Sequence, residues 1–240
     1  MSPPSSAPPS SVALWSLSGT VATCERAPFS ASLDLAAPTR GLAIDGPDAA
    51  GDHLLGLDLG PADALADHWL RGRDITAVYE PADASRLRAT AMWRRLDDPF
   101  EFGIAWEVVV SAQTSLLETE ADVAVVSSAV ADSVAWADAE SRWLCSEAAD
   151  AIPDSATRIL LKRRRSSLLL AVHPADARGI VVTRAGDGVR VACRLFAAAL
   201  EKGVLLRSRV LAAIGPADGD ESWATRVADA FAASQPPLTT

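Results

Sequence analysis

Residues Ile104 to Ser111 alternate with a strand's period of two. Ile104, Trp106, Val108 and Val110 fall on one face, and Ala105, Glu107, Val109 and Ser111 on the other. Both faces are largely apolar, so this strand must carry material on each side. Such a strand belongs inside a sandwich, since a solvated sheet edge shows one apolar and one polar face. With 240 residues and 49% apolar content, the chain has enough apolar surface to build a core around it.

Short apolar runs separated by turn residues continue on both sides. Val12 to Cys24, Phe29 to Leu35, His68 to Tyr79, Leu87 to Arg95 and Val123 to Ser127 read as strands, and an alanine-rich stretch to Trp136 is ambiguous. Thr157 to Arg163, Ser167 to His173, Gly179 to Arg184, Val189 to Phe196 and Val204 to Leu211 continue the series, and Gly186-Asp187-Gly188 predicts a tight hairpin. Trp223, Val227, Ala230 and Phe231 recur at helical spacing, with Glu221 or Ser222 near the start and Pro236-Pro237 as the stop. Twelve or more strands without a strand-helix rhythm predict an all-β fold: a large antiparallel β-sandwich with one C-terminal helix. The proline- and serine-rich residues 1–11 are expected to be disordered, and 12–240 to form a single sandwich domain. Two smaller sandwiches divided near Ala149 to Ser155 are the alternative.

Charge narrows the partners. The chain has 22 basic and 31 acidic residues, a net of −9, which argues against nucleic acid. That total is uneven: residues 154–210 hold 12 basic and 4 acidic side chains, a net of +8. Arg190 with Arg194, and Arg207 with Arg209, share strand faces there and suit an anionic ligand such as an acidic sugar. The plainer reading is that this basic segment meets the acidic parts of the same molecule. No apolar run is long enough for a membrane span. The N-terminus lacks a secretory signal's pattern, and three cysteines without metal-ligand spacing fit a reducing compartment, so a cytoplasmic location is expected. No cofactor or metal is expected, and a protein partner is left open.

Common nucleophile, nucleotide and zinc motifs are absent. Candidate ligand-binding residues instead cluster at His68, Trp69, Arg71 and Asp74, where an indole face can stack on a sugar ring and guanidiniums can hold hydroxyls or carboxylates. A salt-bridge ladder at a sheet edge explains the same residues. Trp93 alternates with Arg94 and reads as core. Glu107, set among apolar neighbours, must find a partner or shift its pKa upward as a general acid or base does. His173, followed by Asp176, has the spacing for an oriented imidazole, although Asp176 also suits a turn begun by Pro174.

Trp-Leu-Arg-Gly-Arg-Asp-Ile (69–75), Ala-Val-His-Pro-Ala-Asp (171–176) and Leu-Glu-Lys-Gly-Val-Leu-Leu-Arg-Ser-Arg-Val (200–210) resemble an uncharacterised group of bacterial proteins with a galactose-mutarotase-like β-supersandwich. The resemblance implies a large antiparallel sandwich that handles carbohydrate, either as a sugar-ring epimerase or as a binding domain. Mutarotases pair a histidine acid with a glutamate base. Glu107 and His173 supply the residue types, but their flanking sequences differ from that setting and the roles are not carried over. The expected function is therefore carbohydrate binding without a clear catalytic motif. A protein-interaction sandwich with no small-molecule site is the alternative, and a sugar-acting enzyme using Glu107 and His173 is the third reading.

Overall fold

The computed structural model describes residues 15–60, 63–81, 87–96, 103–138, 140–146, 152–153 and 155–235. The expectations for residues 1–11 and for Pro236-Pro237 lie outside them. Among the described residues, two antiparallel sheets, one α-helix and a short 3-10 turn at Pro38–Arg40 make up the fold. The first sheet contains β1 (Ser16–Ser18), β2 (Val21–Arg26), β3 (Phe29–Asp34), β4 (Leu42–Asp45), β5 (Asp52–Asp58), β10 (Glu118–Val130), β16 (Gly188–Glu201) and β15 (Ile180–Ala185), in that spatial order. The second runs β12 (Trp143–Ser146), β11 (Ser133–Ala137), β13 (Arg158–Lys162), β14 (Ser166–Val172), β17 (Leu206–Pro216), β9 (Ile104–Gln113), β8 (Arg88–Leu96), β7 (Asp74–Pro81) and β6 (Asp63–Arg71). Strands from before and after 149–155 interleave in both sheets.

Alternation places one face of each sheet in a shared core. Leu33, Leu42, Leu57, Val125 and Val191 come from the first sheet, facing Ile75, Trp93, Trp106, Val108, Ile159, Leu168 and Val210 from the second. Polar side chains cross between the layers where they can satisfy backbone groups. Trp93 Nε1 donates to the Leu55 carbonyl at 2.9 Å, and Tyr79 OH donates to the Leu35 carbonyl at 3.0 Å. Burial pushes the Tyr79 hydroxyl well above its ordinary pKa. Arg163 reaches the Asp52 carboxylate at 2.6 Å and also donates to the Asp48 and Val130 carbonyls. A buried guanidinium is tolerable only when so fully engaged.

The two-residue Gly186-Asp187 loop joins β15 to β16, with Gly186 at φ 64, as the hairpin expectation requires. Other runs are divided more finely than their composition suggests. The stretch ending at Cys24 is a hairpin of β1 and β2, and His68 to Tyr79 turns at Gly72 between β6 and β7.

Helix α1 (Asp220–Ala233) lies on the outer face of the second sheet, packing Trp223, Val227 and Phe231 over Leu160, Leu169, Leu211 and Ala213. It starts at Asp220, next to the expected Glu221 and Ser222, after Gly219 in a left-handed conformation. The helix docks closely: a Cβ added to Gly215 would stand 2.7 Å from the Trp223 ring. Trp223 Nε1 is anchored there by donating to the Pro216 carbonyl at 2.8 Å. The second sheet's outer face therefore has a half covered by helix and a half left open.

Candidate functional site

The open half is formed by β6, β7, β8, β9 and β17, whose register brings outward side chains into cross-strand rows. One row reads Trp69, Thr76, Met92, Val109 and Arg209. The next reads Arg71, Asp74, Arg94, Glu107 and Leu211, so charge alternates in sign across four strands. Opposite charges directly across a strand pair attract, and Arg94 indeed grips Asp74 with two bonds of 3.1 and 3.3 Å.

Over these rows lies a concave cavity of about 580 Å³. Thr76, Met92 and Val109 are among its floor residues, Thr90 and Ser111 add hydroxyls, and the Asp74–Arg94 pair stands beside them. Trp69, Arg71, Arg73 and Arg207 contribute to the lining, and Trp69 is 41% exposed. Arg207 also approaches the Ser111 hydroxyl at 3.4 Å. An indole beside four guanidiniums and one carboxylate offers a stacking surface together with forks for anionic oxygens.

A second cavity, about 270 Å³, lies between the sheet and the C-terminal end of α1 and shares Arg94 with the first. Its walls are mainly Leu96, Leu211, Val227 and Phe231. Glu107 and Arg209 line it as well, and they are already bound to each other. Arg209 Nε donates to Glu107 Oε1 at 2.5 Å, while its other nitrogens donate to the Ser234 carbonyl and hydroxyl at 2.8 Å. The same guanidinium lies 4.7 Å from the Phe231 ring centre. Glu107 has thus found a partner, the plainer of its two expected outcomes.

His173 and Asp176 stand close to this pair. Asp176 accepts a hydrogen bond from the Arg209 backbone N–H at 3.2 Å, and burial raises its carboxyl pKa against the opposing pull of His173 and Arg209. His173 Nε2 donates to the Ala232 carbonyl at 3.1 Å, and its ring meets Phe231 edge-on. Its Nδ1 is 3.9 Å from Asp176, too long for a hydrogen bond. These groups hold the end of α1 to the sheet.

The remaining candidates are dispersed. His68 Nε2 donates across the layers to the Gly19 carbonyl at 3.0 Å. Arg190 and Arg194 are exposed on the first sheet, alternating with core residues Val191 and Cys193, and so face away from the Arg207 and Arg209 side. The two arginine pairs do not converge on one anion. Basic residues of 154–210 also meet acidic ones elsewhere in the chain, as Arg163 with Asp52, Arg158 with Asp229 and Lys162 with Glu221.

Trp69, Arg71, Asp74 and Arg207 do converge. Arg94, Thr90 and Met92 complete their site, and alternation along β8 sets these three on the face opposite Trp93. The register that sets them beside Trp69 carries no such sequence signal. Among the described residues, no group of three or more His, Cys, Asp or Glu side chains is placed to hold a metal ion, and no helix is long and apolar enough to cross a membrane. No protein-family model and no curated protein matches the chain.

Proposed function

We propose that the protein binds an acidic carbohydrate in the concave cavity on the outer face of the second sheet. The observation that carries this reading is the exposed Trp69 indole beside a cavity lined by Arg71, Arg73, Arg94 and Arg207. A pyranose ring has an apolar face that stacks on an indole, and its carboxylate suits a guanidinium fork. Thr76, Thr90 and Ser111 add short hydroxyls for the ring's own hydroxyl groups. Binding is favoured over catalysis because Glu107 is held by Arg209 and His173 by the end of α1. Galactose-mutarotase-like kinship belongs to the same proposal and rests on the two-sheet architecture.

Calorimetric titration with glucuronic and galacturonic acid oligosaccharides, and with their neutral counterparts, tests the reading. Acidic forms are expected to bind at least tenfold more tightly than neutral ones. Trp69→Ala should weaken them about tenfold, the scale of one lost aromatic contact. Equal affinity for the neutral sugars, or binding of neither class, would overturn it.

A further inference from the structure

The two cavities continue one another along three neighbouring strands. On β8 the outward residues Thr90 and Met92 face the large cavity, Arg94 both, and Leu96 the small one. On β9 the sequence is Ser111, Val109, then Glu107, and on β17 it is Arg207, then Arg209 and Leu211. From Thr90 to Leu96 such a groove runs about 20 Å along the strands at roughly 3.3 Å per residue.

The two ends differ in chemistry. The large cavity gathers the guanidiniums of Arg71, Arg73 and Arg207. In the small one Arg209 is engaged by Glu107, Ser234 and Phe231, and Leu96, Leu211, Val227, Ala230 and Phe231 make the lining mainly apolar, with Gln235 beside them. A ligand that is anionic at one end and apolar at the other matches the two linings. We infer that the groove takes an acidic glycoside, with the charged ring in the arginine-lined cavity and an apolar aglycone passing Arg94 into the pocket beneath the C-terminal end of α1. This inference rests on the acidic-carbohydrate reading and adds the second half of the ligand.

Three probes separate the two ideas: glucuronic acid, phenyl β-D-glucuronide and phenyl β-D-glucoside, each titrated calorimetrically into the full chain. Phenyl glucuronide is expected to bind at least tenfold more tightly than glucuronic acid, because a phenyl group leaves water. Ala230 lines the small pocket and is exposed on α1, so Ala230→Phe fills the pocket from the helix surface. That variant should remove the tenfold advantage and leave glucuronic acid affinity within twofold, with an unchanged circular-dichroism melt as the check on folding.

If the native protein binds glucuronic acid and its phenyl glycoside equally, the aglycone pocket is refuted and the acidic-sugar site stands. If glucuronic acid does not bind, or phenyl glucoside matches phenyl glucuronide, the acidic-sugar reading fails and the inference with it.

Discussion

Arg209 and Glu107 meet at 2.5 Å on the outer face of the second sheet, 3% and 2% exposed, beneath the last turn of α1. Burying two charges is costly, and their attraction repays it only when the remaining donors are also satisfied, as Ser234 does for Arg209. Removing one partner leaves the other charge stranded. Glu107→Ala is expected to cost about 3–5 kcal/mol in urea unfolding. Combining Glu107→Leu with Arg209→Met should recover most of that loss. A single substitution within about 0.5 kcal/mol of the native protein would show that the pair is not energetically coupled.

Helix docking depends on a missing side chain. Since a Cβ at Gly215 would press into the Trp223 ring, Gly215→Val should lower stability by about 1–3 kcal/mol through overpacking. Near-ultraviolet circular dichroism should change with it, because Trp223 must move. An unaltered melting temperature would mean that the helix yields without cost.

Asp176 provides a pH signature. Its folded-state pKa is raised by burial, so the folded protein binds a proton more readily than the unfolded chain. Its contribution is therefore most favourable below the ordinary carboxylate pKa and declines as pH rises through the raised value. The stability of the native protein relative to Asp176→Asn should fall as pH rises above the ordinary aspartate pKa. A difference that grows with pH would place the folded pKa below the ordinary one.

The three thiols should differ sharply in reactivity. Cys145 is exposed, whereas burial raises the Cys24 thiol and pushes Cys193 up to about 12. Thiolate is the reactive form, so an aromatic disulfide reagent at pH 8 should modify one cysteine quickly and all three only after denaturation. Rapid modification of two in the folded protein would contradict the buried environments.

Much of this architecture was legible because strand faces announce themselves. The alternation of Ile104 to Ser111 leads directly to a central strand, whose outer face is covered by α1 at Ala105 and lines the large cavity at Val109 and Ser111, and the helical spacing from Trp223 to Phe231 leads to a helix. β4 is only four residues long, and β5 lacks a clear strand signal for a physical reason. In β5, Leu54 and Leu55 are both buried in succession, with Leu55 at φ 56, and this bulge erases the period of two. Ser127 Oγ accepts the displaced Leu55 N–H at 3.0 Å, a partner 72 residues away. The site was half visible: Trp69, Arg71, Asp74 and Arg207 carry suitable chemistry, yet strand pairing alone sets Arg94 between Asp74 and Glu107. For the same reason, the separation of Arg190 and Arg194 from Arg207 and Arg209 could not be read from residue spacing.

The place of β17 bears on how the chain is made. It lies between β14 and β9, pairing Ile214 with Ile104 and Leu206 with Ala112. On a ribosome, the second sheet remains in two pieces until this late strand emerges, and α1 follows it still later. The sandwich can therefore close only after β17 has been made, with folding expected on the slow, millisecond-to-second scale of proteins dominated by distant strand pairings. Meanwhile β9, apolar on both faces, waits with an unpaired edge, so this strand is where a nascent chain most needs protection from aggregation.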